Sequence, residues 1–218
     1  MSDTDSFIEE VSEEVRRDRL YGAFRRYGWI AVAGVFVIVG GAAWNEYNKS
    51  QDRAAAEKLG DDMLAALEAE APADRAEALA ALSAATPAAQ AVVILQRASE
   101  LQAAGDTVAA AAALEGLAVN GEVAPIYRQM AAFKSVLLQG TQTPAADRSA
   151  TLEGLVQSGG PLRLLAEEQL ALIAVETGDT DAALTRLERI AADAEASAGL
   201  RRRASQLIVA LGGDRTGA

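Results

Sequence analysis

Hydrophobic positions are most concentrated in one uncharged segment near the amino terminus, from Tyr27 to Trp44. Its 18 residues, YGWIAVAGVFVIVGGAAW, would form about 27 Å of helix, which is close to the thickness of a hydrocarbon core. Arg25 and Arg26 precede the segment, and Asn45 and Glu46 follow it. The pattern predicts one transmembrane helix over residues 27–44. A buried helix of a soluble protein and a cleaved signal peptide are the alternatives.

Cations on the two sides of this segment predict its orientation. The arginines that precede it are Arg16, Arg17, Arg19, Arg25 and Arg26. Only Lys49, Arg53 and Lys58 occupy a similar window after it. By the positive-inside rule the amino terminus is cytoplasmic, and the larger carboxy-terminal part lies outside, in the periplasm of a bacterium. Residues 1–26 then form a cytoplasmic amphipathic arm, which either docks a partner, lies along the membrane or only sets the topology.

Small residues recur at a seven-residue interval within the apolar segment: Ala33 and Gly34, then Gly40 and Gly41. Such a face lets two membrane helices approach closely, so Gly34 and Gly41 are candidate contacts with another membrane helix. The alternative is that the bilayer-spanning helix merely tolerates these glycines.

Three later stretches, starting at residues 91, 126 and 164, align with one another around Gly105, Gly140 and Gly178. The glycines are separated by 35 and 38 residues, a period typical of stacked helix pairs. Each glycine is expected to end one helix in the left-handed conformation, and Asp106 and Asp179 to start the next. The sequence therefore predicts an all-α fold, with the transmembrane helix followed by a tetratricopeptide-like α-solenoid over 45–211 and a disordered tail over 212–218.

The helix pairs also have a packing pattern. Small residues expected at close helix crossings are Ala98, Ala110, Ala171 and Ala183, and large aliphatic residues expected to pack back are Leu114, Leu117, Leu187 and Ile190. Breaks at Ala71-Pro72 and Thr86-Pro87 separate the first three helices. A last helix over about 198–211 carries Arg201, Arg202 and Arg203, which we interpret as its charged outer face, with docking to an acidic partner as the alternative.

The first helix of each pair would line a concave groove suited to a peptide. The candidate groove residues are Val92, Leu95, Ser99, Gln102, Tyr127, Met130, Lys134, Leu137, Leu165, Glu168 and Leu172. A register shifted by one residue would instead put their aliphatic members in the core.

The composition lacks several residue types on which enzyme catalysis commonly depends. The chain contains no cysteine and no histidine, so disulfides, thiolate chemistry, histidine catalysis and the usual zinc sites are excluded. Its net charge of −11 argues against nucleic acid as a partner. Neighbouring carboxylates such as Glu167 and Glu168 point about 100° apart on a helix and do not converge on one atom. We expect no enzyme activity, no metal and no cofactor.

The layout of the whole chain resembles the YfgM-like family: an acidic arm, one span ending in Trp-Asn-Glu-Tyr at 44–47, and an alanine-rich, degenerate repeat domain. Landmark tryptophan, tyrosine and proline residues of tetratricopeptide repeats are missing. The resemblance implies anchoring in the bacterial inner membrane, a periplasmic domain, and a role as an ancillary subunit of the Sec translocon. Exported polypeptides and periplasmic chaperones would then be partners.

Two other functions remain open at this point. The chain could be an accessory or assembly subunit of another inner-membrane complex, such as a respiratory enzyme, held there by its span. Alternatively, cleavage near Ala43 would release a soluble periplasmic repeat protein.

Overall fold

The structure is a computed structural model that describes the backbone of residues 3–213 and the side chains of residues 25, 26, 29, 30 and 33–213. Within those residues it is all-helical and contains no strand. The side chains of residues 1–24 of the predicted arm, and residues 214–218 of the predicted tail, lie outside what the structure describes. The chain divides into two units, Met1–Glu57 and Lys58–Ala218.

Unit 1 is part of one long helix, α1, which spans Asp3–Leu67 and ends in unit 2. The apolar residues described between positions 29 and 44 are exposed, including the consecutive run Val35, Phe36, Val37, Ile38 and Val39. A search of the described residues finds no helix that is long and apolar enough to cross a membrane. Tyr27, Gly28, Ala31 and Val32, four positions of the predicted span, lie outside the described side chains.

In its described residues, unit 2 contains the end of α1, eight further α-helices and a 3-10 turn at Gly140–Gln142. The eight α-helices are α2 (Pro72–Ala80), α3 (Pro87–Ala103), α4 (Thr107–Ala118), α5 (Pro125–Gln139), α6 (Ala145–Gln157), α7 (Arg163–Glu176), α8 (Thr180–Ala192) and α9 (Ala198–Ala210). From α2 onward each helix packs against the next along the chain, and α3 also contacts α5. A succession of this kind is consistent with an α-solenoid.

Local chemistry explains where these helices begin and end. Gly105, Gly140 and Gly178 have φ angles of 84°, 50° and 81°, which side-chain-bearing residues rarely adopt. Asp106 and Asp179 accept hydrogen bonds from backbone N–H groups three residues later, at 2.9 Å and 3.0 Å, and so cap α4 and α8. The predicted glycine ends and aspartate starts are therefore confirmed.

The core of unit 2 consists of three clusters, each shared by three consecutive helices. The first joins α3, α4 and α5; the second α5, α6 and α7; the third α7, α8 and α9. Helices α5 and α7 each contribute to two clusters and so link the stack. All eight residues predicted for helix crossings and packing are buried: Ala98, Ala110, Leu114, Leu117, Ala171, Ala183, Leu187 and Ile190.

Helix boundaries agree with the sequence to within a few residues. Helix α3 begins at Pro87 after the cap Thr86, as predicted, and α9 ends one residue early, at Ala210. Helix α2 ends at Ala80 rather than near Ser83. The unit that holds the repeats begins at Lys58, within α1.

Candidate functional site

The candidate groove residues lie on α3, α5 and α7, the first helices of the three predicted pairs. These three helices align with one another when residues are numbered back from the glycine that follows each of them. Ser99, Lys134 and Leu172 each lie six residues before their glycine. Gln102, Leu137 and Val175 each lie three residues before their glycine, and all three are exposed. Equivalent positions on neighbouring repeats form rows across the stack.

A direct contact shows that α3 and α5 adjoin along the row that contains Ser99 and Lys134. Lys134 of α5 donates a hydrogen bond from Nζ to Oγ of Ser99 on α3, over 3.2 Å. The Ser99 hydroxyl in turn donates to the Leu95 carbonyl oxygen at 3.1 Å. Among the side chains that the structure describes, no carboxylate forms an ion pair with Lys134. Its ammonium group is therefore held in place by a neutral partner.

Apolar side chains flank this lysine on α5, and others lie at equivalent positions of α7. Met130 and Leu137 lie four residues before and three residues after it on α5, and therefore on the same helix face. On α7, Leu172 and Val175 lie at the positions equivalent to Lys134 and Leu137. These four side chains are between 36% and 47% exposed, although they belong to the apolar class that usually packs inside. We call Met130, Lys134, Leu137, Leu172 and Val175 the Lys134 patch.

The remaining predicted groove residues have other surroundings. Leu95 and Tyr127 are partly buried and pack against the first core cluster, and Leu165 packs against the second. Gln102 is exposed. Glu168 is buried, and both of its carboxylate oxygens accept hydrogen bonds from Arg203 of α9, at 2.7 Å and 2.8 Å.

Arg203 was interpreted from the sequence as part of a charged outer face. Arg203 is exposed, as this interpretation predicts, and its guanidinium also pairs with the buried Glu168 of α7. Those hydrogen bonds raise the pKa of Arg203 above its ordinary value. Arg201 and Arg202 are exposed. All three arginines of the run are therefore exposed, and Arg203 also links α9 to α7.

Arg186 makes a second interhelical link that the sequence pattern did not indicate. From α8 it donates to Glu167 of α7 at 2.7 Å and also to Glu153 of α6. Burial lowers the pKa of Arg186, but the hydrogen bonds to Glu167 and Glu153 outweigh burial, so its pKa is raised. Glu167 and Glu168 thus point to different helices, as their adjacent positions predicted.

Further arginine pairs join other helix ends. Arg148 is buried and bonds to Glu176 at 2.6 Å, and Arg75 bonds to Glu100 at 2.7 Å. Arg163 bonds to Asp193 at 2.8 Å, and this hydrogen bond is the main cause that lowers the pKa of the Asp193 carboxyl. Each of these three arginines therefore pairs with a carboxylate of a neighbouring element of the stack.

A surface cleft and the acidic side chains are the other places where a catalytic or metal site could form. A cleft of about 360 Å³ lies between the α2–α3 linker and the α4–α5 loop. Its polar side chains serve local structure, since Thr86 caps α3, Gln90 accepts from the Ala84 N–H and Asn120 from the Glu122 N–H. Within the described part of the chain, no cluster of three acidic side chains could hold a metal ion.

Comparison of this chain with protein families, with curated proteins and with solved structures found no match.

Proposed function

We propose that this chain is a non-enzymatic interaction scaffold, tethered to a membrane by residues 27–44. The observation that carries the tether is the exposure of its apolar residues around the whole helix. Val35 to Val39 are five consecutive apolar residues, each between 59% and 74% exposed. Successive residues on a helix are rotated by about 100°, so these five cover its full circumference. A helix that is apolar on every side needs an apolar surrounding.

Hydrocarbon is the surrounding that fits this helix best. Its Val, Ile and Phe residues favour insertion by about 2 to 4 kcal/mol, and its backbone groups bond internally. The paired Arg25 and Arg26, both exposed, favour a cytoplasmic amino terminus. The repeats would then stand in the periplasm of a bacterial inner membrane.

The scaffold role is supported by the helix stack of unit 2 and its open apolar surface. Stacked helix pairs present side chains of successive first helices as one continuous surface, which suits a polypeptide partner. The Lys134 patch is such a surface, and the paired carboxylates described above leave little for catalysis.

The Sec translocon is the partner that we propose, with exported polypeptides or periplasmic chaperones as clients, on the strength of the resemblance to the YfgM-like family. The test is crosslinking in native bacterial membranes with photoreactive residues at positions 64 and 137. Recovery of translocon subunits and exported chains is expected. If neither is recovered while the crosslinker is active on other partners, this identity of the partner is wrong.

An accessory subunit of another inner-membrane complex, such as a respiratory enzyme, is the second candidate. It is favoured by the open space at Gly34 and Gly41, where an added Cβ atom would meet nothing within 4 Å. Gly34→Leu and Gly41→Leu would fill that space. If the inner-membrane complex no longer copurifies with these glycine variants but still copurifies with Leu137→Ser and Leu172→Ser, the second candidate is favoured over the first.

A further inference from the structure

We infer that the Lys134 patch binds a polypeptide segment in which an acidic side chain lies between two apolar ones, with its carboxylate at Lys134 Nζ. This inference rests on the proposed scaffold function and specifies the chemistry of its partner.

Charge is the first argument. Acidic residues near the rows of α3, α5 and α7 already have cationic partners: Glu100 pairs with Arg75, Glu168 with Arg203, and Glu176 with Arg148. Lys134 instead donates to the Ser99 hydroxyl and, within the described residues, has no carboxylate partner. The Lys134 ammonium can therefore donate a hydrogen bond to a group on a partner. A carboxylate is the best acceptor, because a hydrogen bond between two charged groups is stronger than one to a neutral acceptor.

The apolar neighbours are the second argument. Met130 and Leu137 flank Lys134 on α5, while Leu172 and Val175 occupy the equivalent turn of α7. A partner that covers these side chains removes them from water and excludes water from the ion pair as well. A partner with an acidic residue but no apolar neighbours would leave these apolar side chains exposed to water. An apolar partner without an acid would bury the Lys134 ammonium without a counter-charge.

Spacing is the third argument. Met130 lies about 6 Å from Lys134 along the α5 axis, and Leu137 about 4.5 Å beyond it, at 1.5 Å per residue. Alternate residues of an extended chain lie on one face about 6.6 Å apart. This spacing is close to the roughly 6 Å between Met130 and Lys134 and exceeds the step to Leu137 by about 2 Å, a distance that a leucine side chain can span. We therefore expect a matching extended partner to have apolar residues two positions before and two positions after its acid.

The test uses the full chain in detergent micelles and fluorescein-labelled peptides read by anisotropy. The probe is a 13-residue peptide with Leu-Ser-Asp-Ser-Leu at its centre and Gly-Ser repeats on either side. Control peptides replace the aspartate by asparagine or by lysine. We expect the aspartate peptide to bind about fivefold more tightly than the asparagine peptide, as for a partly exposed ion pair.

Variants of the chain assign this preference to the patch. Lys134→Met should abolish the preference for aspartate, and Lys134→Glu should transfer it to the lysine peptide. Lys58→Met removes an exposed lysine that pairs with Asp62 and should leave the preference unchanged. Leu137→Ser should weaken every peptide about tenfold, whereas Val108→Ser, at an exposed position of α4, should not.

Equal binding of the aspartate and asparagine peptides, or an aspartate preference that survives Lys134→Glu, overturns the inference. Circular dichroism of each variant separates lost binding from lost folding. If the inference fails while crosslinking still recovers partner proteins, the scaffold function stands and acts through another surface. Failure of both removes the scaffold function as well.

Discussion

Arg186 offers the sharpest test of how unit 2 is held together, because its guanidinium connects three successive helices. It bonds to Glu167 at 2.7 Å and to Glu153, and the Glu167 side chain is only 9% exposed. Arg186→Met keeps the apolar stem of the side chain but removes both bonds. The buried Glu167 carboxylate then has only Arg189 nearby, at 3.7 Å.

The size of the effect follows from these surroundings. Removing one partner of a buried ion pair costs 3 to 5 kcal/mol in general, and the lower end applies here because Glu153 is partly hydrated and Arg189 remains. We expect Arg186→Met to lower the free energy of unfolding by about 3 kcal/mol, equivalent to about 9 °C in Tm for a unit of this length. Arg189→Met, at a largely exposed position, should cost about 0.5 kcal/mol.

Urea unfolding of a fragment covering residues 58–218 measures both variants. Both tryptophans lie outside this fragment, so circular dichroism at the helix band is the suitable signal. Adding Glu167→Gln to Arg186→Met removes the stranded charge and should restore part of the loss. Equal effects of Arg186→Met and Arg189→Met, or no recovery in the double variant, would refute the assigned role of this ion pair.

Three further predictions concern the same fragment and the same unfolding measurement. Leu187→Ala at a fully buried position should cost about 3 kcal/mol, and Leu64→Ala at an exposed one less than about 0.5 kcal/mol; similar values would contradict the third core cluster. Gly178→Ala forces alanine into the left-handed region and should cost about 1 kcal/mol, whereas Gly154→Ala inside α6 should stabilise by about 0.5 kcal/mol; a reversed order would contradict the assigned cap. Because the folded chain lowers the pKa of Asp193, its carboxylate stabilises fully above its unfolded pKa of about 3.9, and this contribution disappears as pH falls through the lower folded pKa. Asp193→Asn should therefore be less stable than the parent chain near neutral pH, and the difference should shrink as pH falls below about 3.9. A constant difference at all pH values would refute the ion pair.

Local signals carried most of the fold prediction. Gly105 and Gly178 end helices because glycine adopts positive φ without strain, and Asp106 and Asp179 cap the next helices because their carboxylates reach free N–H groups. These effects depend on residues close together in the sequence. Their positions could therefore be predicted without knowing the tertiary structure.

Contacts between residues that are far apart in the sequence could not be predicted in this way. Glu168 was predicted to line the groove, but its carboxylate is buried and pairs with the exposed Arg203, 35 residues away. Arg186 and Glu153 are 33 residues apart. The helical repeat predicts which helices are neighbours, but the partner of each charge depends on how the helices are rotated about their axes. The Lys134 patch was predicted in part, through Met130, Lys134, Leu137 and Leu172, whereas Val175 was missed.

Extraction of bacterial membranes with alkaline carbonate tests the tethered scaffold most directly. This treatment removes peripheral proteins and leaves chains that cross the bilayer in the pellet. We predict that the intact chain stays in the pellet, and that a variant with Val35→Asp and Ile38→Lys moves to the supernatant because charges at mid-helix oppose insertion. Recovery of the intact parent chain in the supernatant would contradict the account.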